Sequence, residues 1–340
     1  MATGNVANKG TFATYGGANL NQIFFEPVFK SDDIMRNYRV IPNVKHKMNI
    51  YTSAALKKIV KSYSGCSASS QDPVRQFNIE NKFITAGRMR VALEQCTDEF
   101  FGTYIEELYK SGVDVMNLEG TALADAIVNR AVKGIGSDVV RLAWGGDGST
   151  SDYDSMTGWM KLMGDDTTVE TAKRAVTATD SANPTAADAI GAIRKAFDNA
   201  PAALQQVPAG EKKLFVTPKV YNAYLANLEG TSADLAYQAQ VNGAPRVAFR
   251  GVEIVPMYEW DTILADTNPD IFDVSGTDYT NGVCYCAVEN LAIGSDVNDP
   301  ESSFKVFYDD LEEKMFFRGY FKLGVQFMYA SLVQWCIIKQ

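Results

Sequence analysis

Residues 121–148 read TALADAIVNRAVKGIGSDVVRLAWGGDG, and this stretch decides how the rest of the chain is organised. Leu123, Ile127, Ala131, Ile135, Val139 and Leu142 recur at steps of four, four, four, four and three. That period lines one face of a single long helix over Thr121–Trp144. Gly145-Gly146-Asp147-Gly148 ends it, because glycine is the residue that adopts the left-handed conformation past a helix terminus. Gly134 and Gly136 sit inside the helix, each costing about 1 kcal/mol relative to Ala, which predicts a bend or a close packing contact there.

Working toward the N-terminus, residues 1–35 are rich in Gly, Asn and Thr, with isolated aromatics at Phe12, Tyr15, Phe24, Phe25 and Phe29. This pattern fits an arm that packs on something else. Alternation is partial from Tyr38 to Ile50, and Thr52–Val60 reads as a short helix or strand. Residues 62–73 form a turn-rich loop tip. Val74–Val91 alternates like a strand through Phe77, Ile79, Phe83 and Ile84, with a bulge expected at Gly87. A hairpin over residues 52–88 would have limbs of about 18 residues reaching roughly 60 Å at ~3.3 Å per residue. Such limbs cannot bury their own faces, which implies a partner. Thr97–Tyr109 carries Phe100, Phe101, Tyr104, Ile105 and Leu108 at helical spacing.

Toward the C-terminus, Ser149–Ala182 is polar apart from Trp159, Met160, Leu162 and Met163 and reads as an irregular excursion. Thr185 is placed to cap a helix with Asp188 at its third position and Ala189, Ile190, Ile193 and Phe197 on one face. Lys213–Val216 reads as a strand. Thr217-Pro218 starts a helix that runs to Leu228 and stops near Gly230. Val247–Met257 reads as a hairpin or a bulged strand, with Arg250-Gly251 at its turn. Gly282–Glu289, Ser303–Tyr308 and the alternating Phe316–Ile338 are strands. The class is α+β, with no internal repeat.

Composition bounds the function. The chain has 340 residues, 46% hydrophobic and 21% charged, which excludes wholesale disorder. No run of 18 apolar residues occurs, so no transmembrane helix is expected, and Met1–Gly10 lacks the apolar core of a signal peptide. The five cysteines are scattered and odd in number, which fits a reducing compartment and not a disulfide framework. Cys284 and Cys286 fall on one face of a strand as small buried hydrophobes. Charge is segregated. Residues 1–92 hold 13 Lys and Arg against five acids, a net of +8, whereas residues 93–340 carry a net of −17. A basic arm on an acidic body fits contact with nucleic acid, contact with the acidic body of an identical neighbour, or two separately solvated surfaces. The arm lacks an RNP-type aromatic motif, a zinc knuckle and a helix-turn-helix signature.

Chemistry leaves little trace. His46 is the only histidine, which removes most metal sites and leaves any Ser-His-Asp or Cys-His pair dependent on one position. Residues Gly145–Thr150 share the glycine content of a phosphate loop, yet they follow a helix and lack its Lys-Ser/Thr ending. Asp266, Asn268 and Asp270 begin like a calcium loop, but Ile271 stands where Gly is required and Thr277 where the bidentate Glu belongs. The Asp152/Asp154 pair, the Asp309/Asp310/Glu312/Glu313 cluster and Glu106/Glu107 read as solvated surface. No catalytic residue, cofactor or metal is expected. An enzyme using Cys96 or Cys66 as nucleophile is the remote alternative.

The order of these elements and several local patterns resemble the major capsid protein of tailed bacteriophages, the Hong Kong 97-like fold. Residues 118–144 match its spine helix, closing with Val140-Arg141-Leu142-Ala143-Trp144-Gly145-Gly146-Asp147. Tyr153-Asp154-Ser155-Met156-Thr157-Gly158-Trp159-Met160 is similar to the short segment that follows that helix. Leu214-Phe215-Val216-Thr217-Pro218-Lys219-Val220-Tyr221 looks like the strand and helix of the axial domain. Phe249-Arg250-Gly251-Val252-Glu253-Ile254-Val255-Pro256-Met257 resembles the strand leaving it, and Ala287-Val288-Glu289-Asn290-Leu291-Ala292-Ile293-Gly294 the family's asparagine-leucine stretch. The resemblance covers nearly the whole chain.

It implies an N-terminal arm (1–50), an extended E-loop hairpin (51–92) and a peripheral domain (93–182). An axial domain (183–257) would follow, and 258–340 would hold the axial remainder and the peripheral return strands. The implied function is a subunit that self-assembles through hexamers and pentamers into an icosahedral head shell around the phage genome. Lys57, Lys58, Lys61, Arg75, Lys82 and Arg88 would then contact neighbouring subunits. In some family members an E-loop lysine crosslinks to an asparagine of a neighbour; no triad here selects one of Lys57, Lys58, Lys61 or Lys82. Partners would be further copies, with scaffold, portal and decoration proteins, and the enclosed double-stranded DNA would be bound without sequence specificity. No membrane is implied, and the protein would reside in the virion after synthesis and assembly in the host cytoplasm. An encapsulin-type nanocompartment shell and a DNA-binding packaging protein using the basic arm are the alternatives.

Overall fold

A computed structural model describes residues 11–15, 36–53, 79–96, 122–150, 152–231, 247–296, 303–309 and 314–340. The first half of the chain contributes β1 (Thr11–Tyr15), β2 (Arg39–Pro42), β3 (Lys47–Ser53), β4 (Ile79–Thr85), β5 (Gly87–Cys96) and α1 (Ala122–Gly145). There follow α2 (Trp159–Gly164), α3 (Thr167–Ala172), β6 (Arg174–Thr177), α4 (Ala186–Asp198), α5 (Ala202–Gln206), β7 (Lys212–Val216) and α6 (Pro218–Thr231). The remainder is β8 (Ala248–Phe249), β9 (Val252–Pro256), α7 (Glu259–Asp266), β10 (Gly282–Ala287), β11 (Leu291–Ser295), β12 (Ser303–Asp309), β13 (Lys314–Phe327) and β14 (Val333–Lys339).

Two sheets carry the fold. The first runs β1-β12-β13-β11-β2, and β5 pairs along β13 from Gly87↔Leu323 to Cys96↔Lys314. The second runs β6-β14-β10-β7-β9-β8. The C-terminal alternation expected as one strand is therefore two. β13 belongs to the first sheet and β14 to the second, with a 3-10 turn at Ala330–Leu332 between them. Alternation reports that both pieces are half-facing a core, and does not report which sheet each joins.

The second sheet is buried on both faces. Cys284 and Cys286 point into one core with Phe215, Trp335 and Ile337, while Val283 and Tyr285 point into another with Leu214, Val216, Cys336 and Ile338. The two thiols are fully buried on one strand face, as the i, i+2 spacing requires. The second core is closed by Ala189, Ala192, Ile193 and Ala196 of α4 and by Val220 and Tyr224 of α6. Thr185 caps α4 with a reciprocal Asp188 capping box, so this helix start was legible from the local sequence order.

The first core lies between the two sheets. Helix α1 enters it through Ala131, Ile135 and Val139 of the stripe read from the sequence, and at its end through Ala143 and Trp144, with Leu142 half-buried against the same core. The helix is uninterrupted, and a Cβ on Gly134 or Gly136 would meet no atom of the described residues within 4 Å. The close packing expected there does not occur, because both glycines lie off the buried stripe. It occurs at the end of the helix: a Cβ on Gly146 would fall 2.3 Å from the carbonyl oxygen of Met156, and one on Gly145 2.7 Å from the Ile263 side chain of α7.

All four tryptophans meet in this core. Trp144 packs edge-on against Trp159 and Trp260, with ring centroids 5.0 and 4.9 Å away, and Trp260 stacks on Trp335 at 5.5 Å. Residues 149–182, expected to be irregular, contain α2, α3 and β6. Trp159, Met160 and Met163 supply the buried side of α2. Asp166 caps α3, its carboxylate accepting from the N–H groups of Thr168 and Val169. The polar composition concealed these elements because each is a single short turn or strand. The β8–β9 hairpin turns at Arg250 (φ 49°) and Gly251 (φ 82°), two consecutive left-handed residues of the kind two-residue hairpins require.

No helix among the described residues is long and apolar enough to cross a membrane. The amphipathic stretch Thr97–Tyr109 lies outside the described residues.

Candidate functional site, an assembly surface

Strands β3 and β4 pair only with each other, from Lys47↔Thr85 to Ser53↔Ile79. The hairpin thus begins at Lys47 and ends at Thr85, not at 52 and 88. The chain then changes phase: Ile84 and Ala86 are buried, and the next buried residue is Met89. Gly87 marks the shift, where a Cβ would fall 2.5 Å from the Ser155 carbonyl oxygen. Past it, β5 leaves the hairpin and joins β13.

The two faces of the hairpin differ. Ile84 packs with Val44, Ala86, Ala292 and Met328, so one face is anchored on the body. On that face the Lys82 ammonium stands 3.8 Å from the Asp166 carboxylate and 3.7 Å from the centre of the Phe327 ring. The opposite face carries Lys47, Asn49, Tyr51, Asn81, Phe83 and Thr85, all exposed, because residues opposite one another in an antiparallel register share a face. Tyr51 is 69% exposed and Phe83 38%, with the Lys47 ammonium 3.8 Å above the Phe83 ring. A two-stranded ribbon with apolar side chains on its open face is marginal in water by itself.

A second surface lies on the outer face of the first sheet. Residues 88, 90, 92 and 94 of β5 share that face with 314, 316, 318, 320 and 322 of β13. It carries Arg88, Arg90, Lys314, Arg318 and Lys322 against Glu94, whose carboxylate lies 3.5 Å from the Lys314 ammonium. The Arg88 guanidinium lies 5.1 Å above the Tyr320 ring and that of Arg318 5.1 Å above Phe316. Linear charge counting assigned Lys314, Arg318 and Lys322 to the acidic body. Their i, i+4 spacing on an alternating strand was the available signal that they share one face.

Of the residues singled out for inter-subunit contact, Arg88 is exposed on this sheet face and Lys82 is turned onto its own body. Lys57, Lys58, Lys61 and Arg75 lie outside the described residues, as does Cys66. His46 is exposed in the connection before β3, its carbonyl accepting from the Ala86 N–H.

No group of three or more His, Cys, Asp or Glu side chains able to hold a metal occurs among the described residues. A cavity of about 490 Å³ lies between α3 and the 270–276 turn. Its Lys173 ammonium is spent internally on Glu170 and on the carbonyls of Asp270 and Asp273. Burial pushes the Cys284 thiol well up, with Cys286 adding to the effect, and pushes Cys336 up to about 12. Neither thiol is poised as a nucleophile, since the thiolate is the reactive form.

No family model matches the sequence, and no curated protein matches it. Solved structures do match. A chain of the satellite phage P4 procapsid including size determination (Sid) protein superposes with a TM-score of 0.54 at 9% identity, over 93% of this chain and 98% of that one. A chain from the capsid of a native GTA particle does so at 0.52 and 9%, over 100% and 95%. A chain from the capsid of the Myoviridae phage XM1 gives 0.51 and 11%, over 90% and 91%. Across nearly its whole length, the chain has the α+β fold of phage capsid proteins.

Proposed function

We propose that the chain is a structural subunit that self-assembles through hexamers and pentamers into the icosahedral head shell of a tailed phage, enclosing its double-stranded DNA. The observation that carries this reading is the β3–β4 hairpin. Within a capsid fold, it is anchored on one face, presents exposed Tyr51, Phe83 and Lys47 on the other, and pairs with no further strand among the described residues. In this reading the hairpin is the E-loop, α1 is the spine helix, the first sheet belongs to the peripheral domain, and the second sheet with α4 and α6 forms the axial domain. The basic arm and hairpin of one subunit overlie the acidic body of the next. Each contact is weak, but a closed symmetric lattice repeats it many times. Scaffold, portal and decoration proteins are further partners in this reading, and the protein acts in the virion without catalytic chemistry.

The test is the size of the purified full-length chain by sedimentation and negative-stain imaging. Hexamers, pentamers or closed shells are the expected result. A chain that remains monomeric at high concentration, at every salt concentration tried and with its own scaffold supplied, overturns the reading.

A further inference from the structure

We propose that the outer face of the first sheet, centred on Arg88 and Arg90, docks the acidic outer side of helix α7 of a second copy. This rests on the shell reading and names one pair of surfaces within it. Residues 251–304 contain eleven Asp and Glu and no Lys or Arg. Helix α7 lies within that acidic run, and Asp261 and Asp266 are exposed on it. Asp266 accepts one hydrogen bond, from the Tyr153 hydroxyl at 3.0 Å, which leaves its charge uncompensated by that partner.

The two surfaces cannot meet within one subunit. Trp260, Ile263 and Leu264 of α7 face the same core that Met89, Phe317, Phe321 and Leu323 of the sheet close from their side. Their solvent sides therefore point outward from a shared interior, and their attraction is available between copies. Among the described residues, Arg88 and Arg90 form no ion pair. Arg88 is held over the Tyr320 ring, so part of its side-chain entropy is lost before docking, which lowers the cost of the contact.

The same cations would attract nucleic-acid phosphates. A single-strand platform, however, needs open aromatic rings for bases to stack on. Here Phe316 is 7% exposed, and both Tyr320 and Phe316 lie under guanidinium groups. The observations favour an acidic protein surface.

The experiment uses full-length chains under conditions where the wild type forms particles. Arg88→Glu with Arg90→Glu, and separately Asp261→Lys with Asp266→Lys, should each lower particle yield by about tenfold or more, since like charges would face each other across the contact. The chain carrying all four reversals should recover yield to within about threefold of wild type, because the attraction is restored with its sign exchanged. Near-ultraviolet circular dichroism of the tryptophan core verifies that each variant is folded. Reversals that assemble like wild type, or a fourfold variant that stays unassembled, overturn the pairing and leave the shell reading standing. So does an Arg88/Arg90 reversal that assembles normally yet loses retention of a short DNA duplex, which would assign the face to nucleic acid. A wild-type chain that never assembles overturns the shell reading, and the pairing with it.

Discussion

The indole N–H of Trp144 donates to the phenol oxygen of Tyr38 at 2.9 Å, and Tyr38 in turn donates toward the Met257 sulfur at 3.8 Å. Tyr38 also stacks on Trp159 and Phe215, with ring centroids 5.0 and 5.9 Å away. One side chain just before β2 thus ties the end of α1 to the second sheet. Replacing Tyr38 with Phe keeps the stacking but leaves a buried indole N–H without its acceptor. The expected cost is about 1–3 kcal/mol, read as a lower urea midpoint with an unchanged slope.

Asp166 has two tasks. One carboxylate oxygen caps α3 through Thr168 and Val169, and the other faces Lys82 of the hairpin. Asp166→Ala should cost about 1 kcal/mol through the lost cap. It should also speed amide hydrogen exchange in Lys47–Ser53 and Ile79–Thr85. Lys82→Met should reproduce the faster hairpin exchange without the loss at α3, because it removes the ion pair and spares the cap.

Two glycines, one inside α1 and one just past its end, should respond in opposite directions. Gly134→Ala, where a Cβ meets no described atom within 4 Å, should raise stability by about 0.5–1 kcal/mol. Gly146→Ala would place a Cβ 2.3 Å from the Met156 carbonyl oxygen and 2.9 Å from that of Leu142, so the connection after α1 must shift. A drop in melting temperature for the second variant and a rise for the first is the expected outcome.

The buried acids predict alkaline lability. The Cys336 thiol is raised from an ordinary 9.0 to about 12 and the Tyr285 phenol from 10.0 to about 12, both by burial first. Each raised group contributes stability that is complete below its unfolded-state pKa and is lost as pH rises toward the folded value. Denaturation midpoints should therefore be unaffected by these groups below pH 9 and should fall between pH 9 and 12. Cys336→Val, by removing one titrating thiol while keeping a small apolar side chain, should flatten the early part of that decline.

Tyr51 and Phe83 project from the open hairpin face and bury little within the subunit. Changing both to Ser should leave the melting temperature of the unassembled chain nearly unchanged. In sedimentation the same variant should show particle formation reduced by about tenfold or more, since exposed aromatic side chains are the residues that dominate interfaces.

The long helix was readable because a fourfold apolar step over 24 residues has one physical interpretation, and α4 because its cap and its third-position acid are a local device. The thiols at 284 and 286 followed from the two-residue period of a strand. The halves of Phe316–Ile338 were not separable, since both alternate and the break at Ala330–Leu332 carries no glycine or proline. The candidate surfaces were partly legible. Sequence order marked the first 92 residues as basic, and Arg88 does lie on the exposed sheet face. Lys82, from the same basic stretch, points onto its own body.

Local periodicity, capping chemistry and composition are properties of neighbouring residues, so the chain order settled the class, the main helix and most strands. Which strands share a sheet depends on contacts across hundreds of residues, such as β5 with β13 and β2 with β11. Those contacts brought Arg88 and Arg90 onto one face with Lys314, Arg318 and Lys322 and gathered four distant tryptophans into one core. Charge acts through space, and its arrangement was decided when the sheets formed.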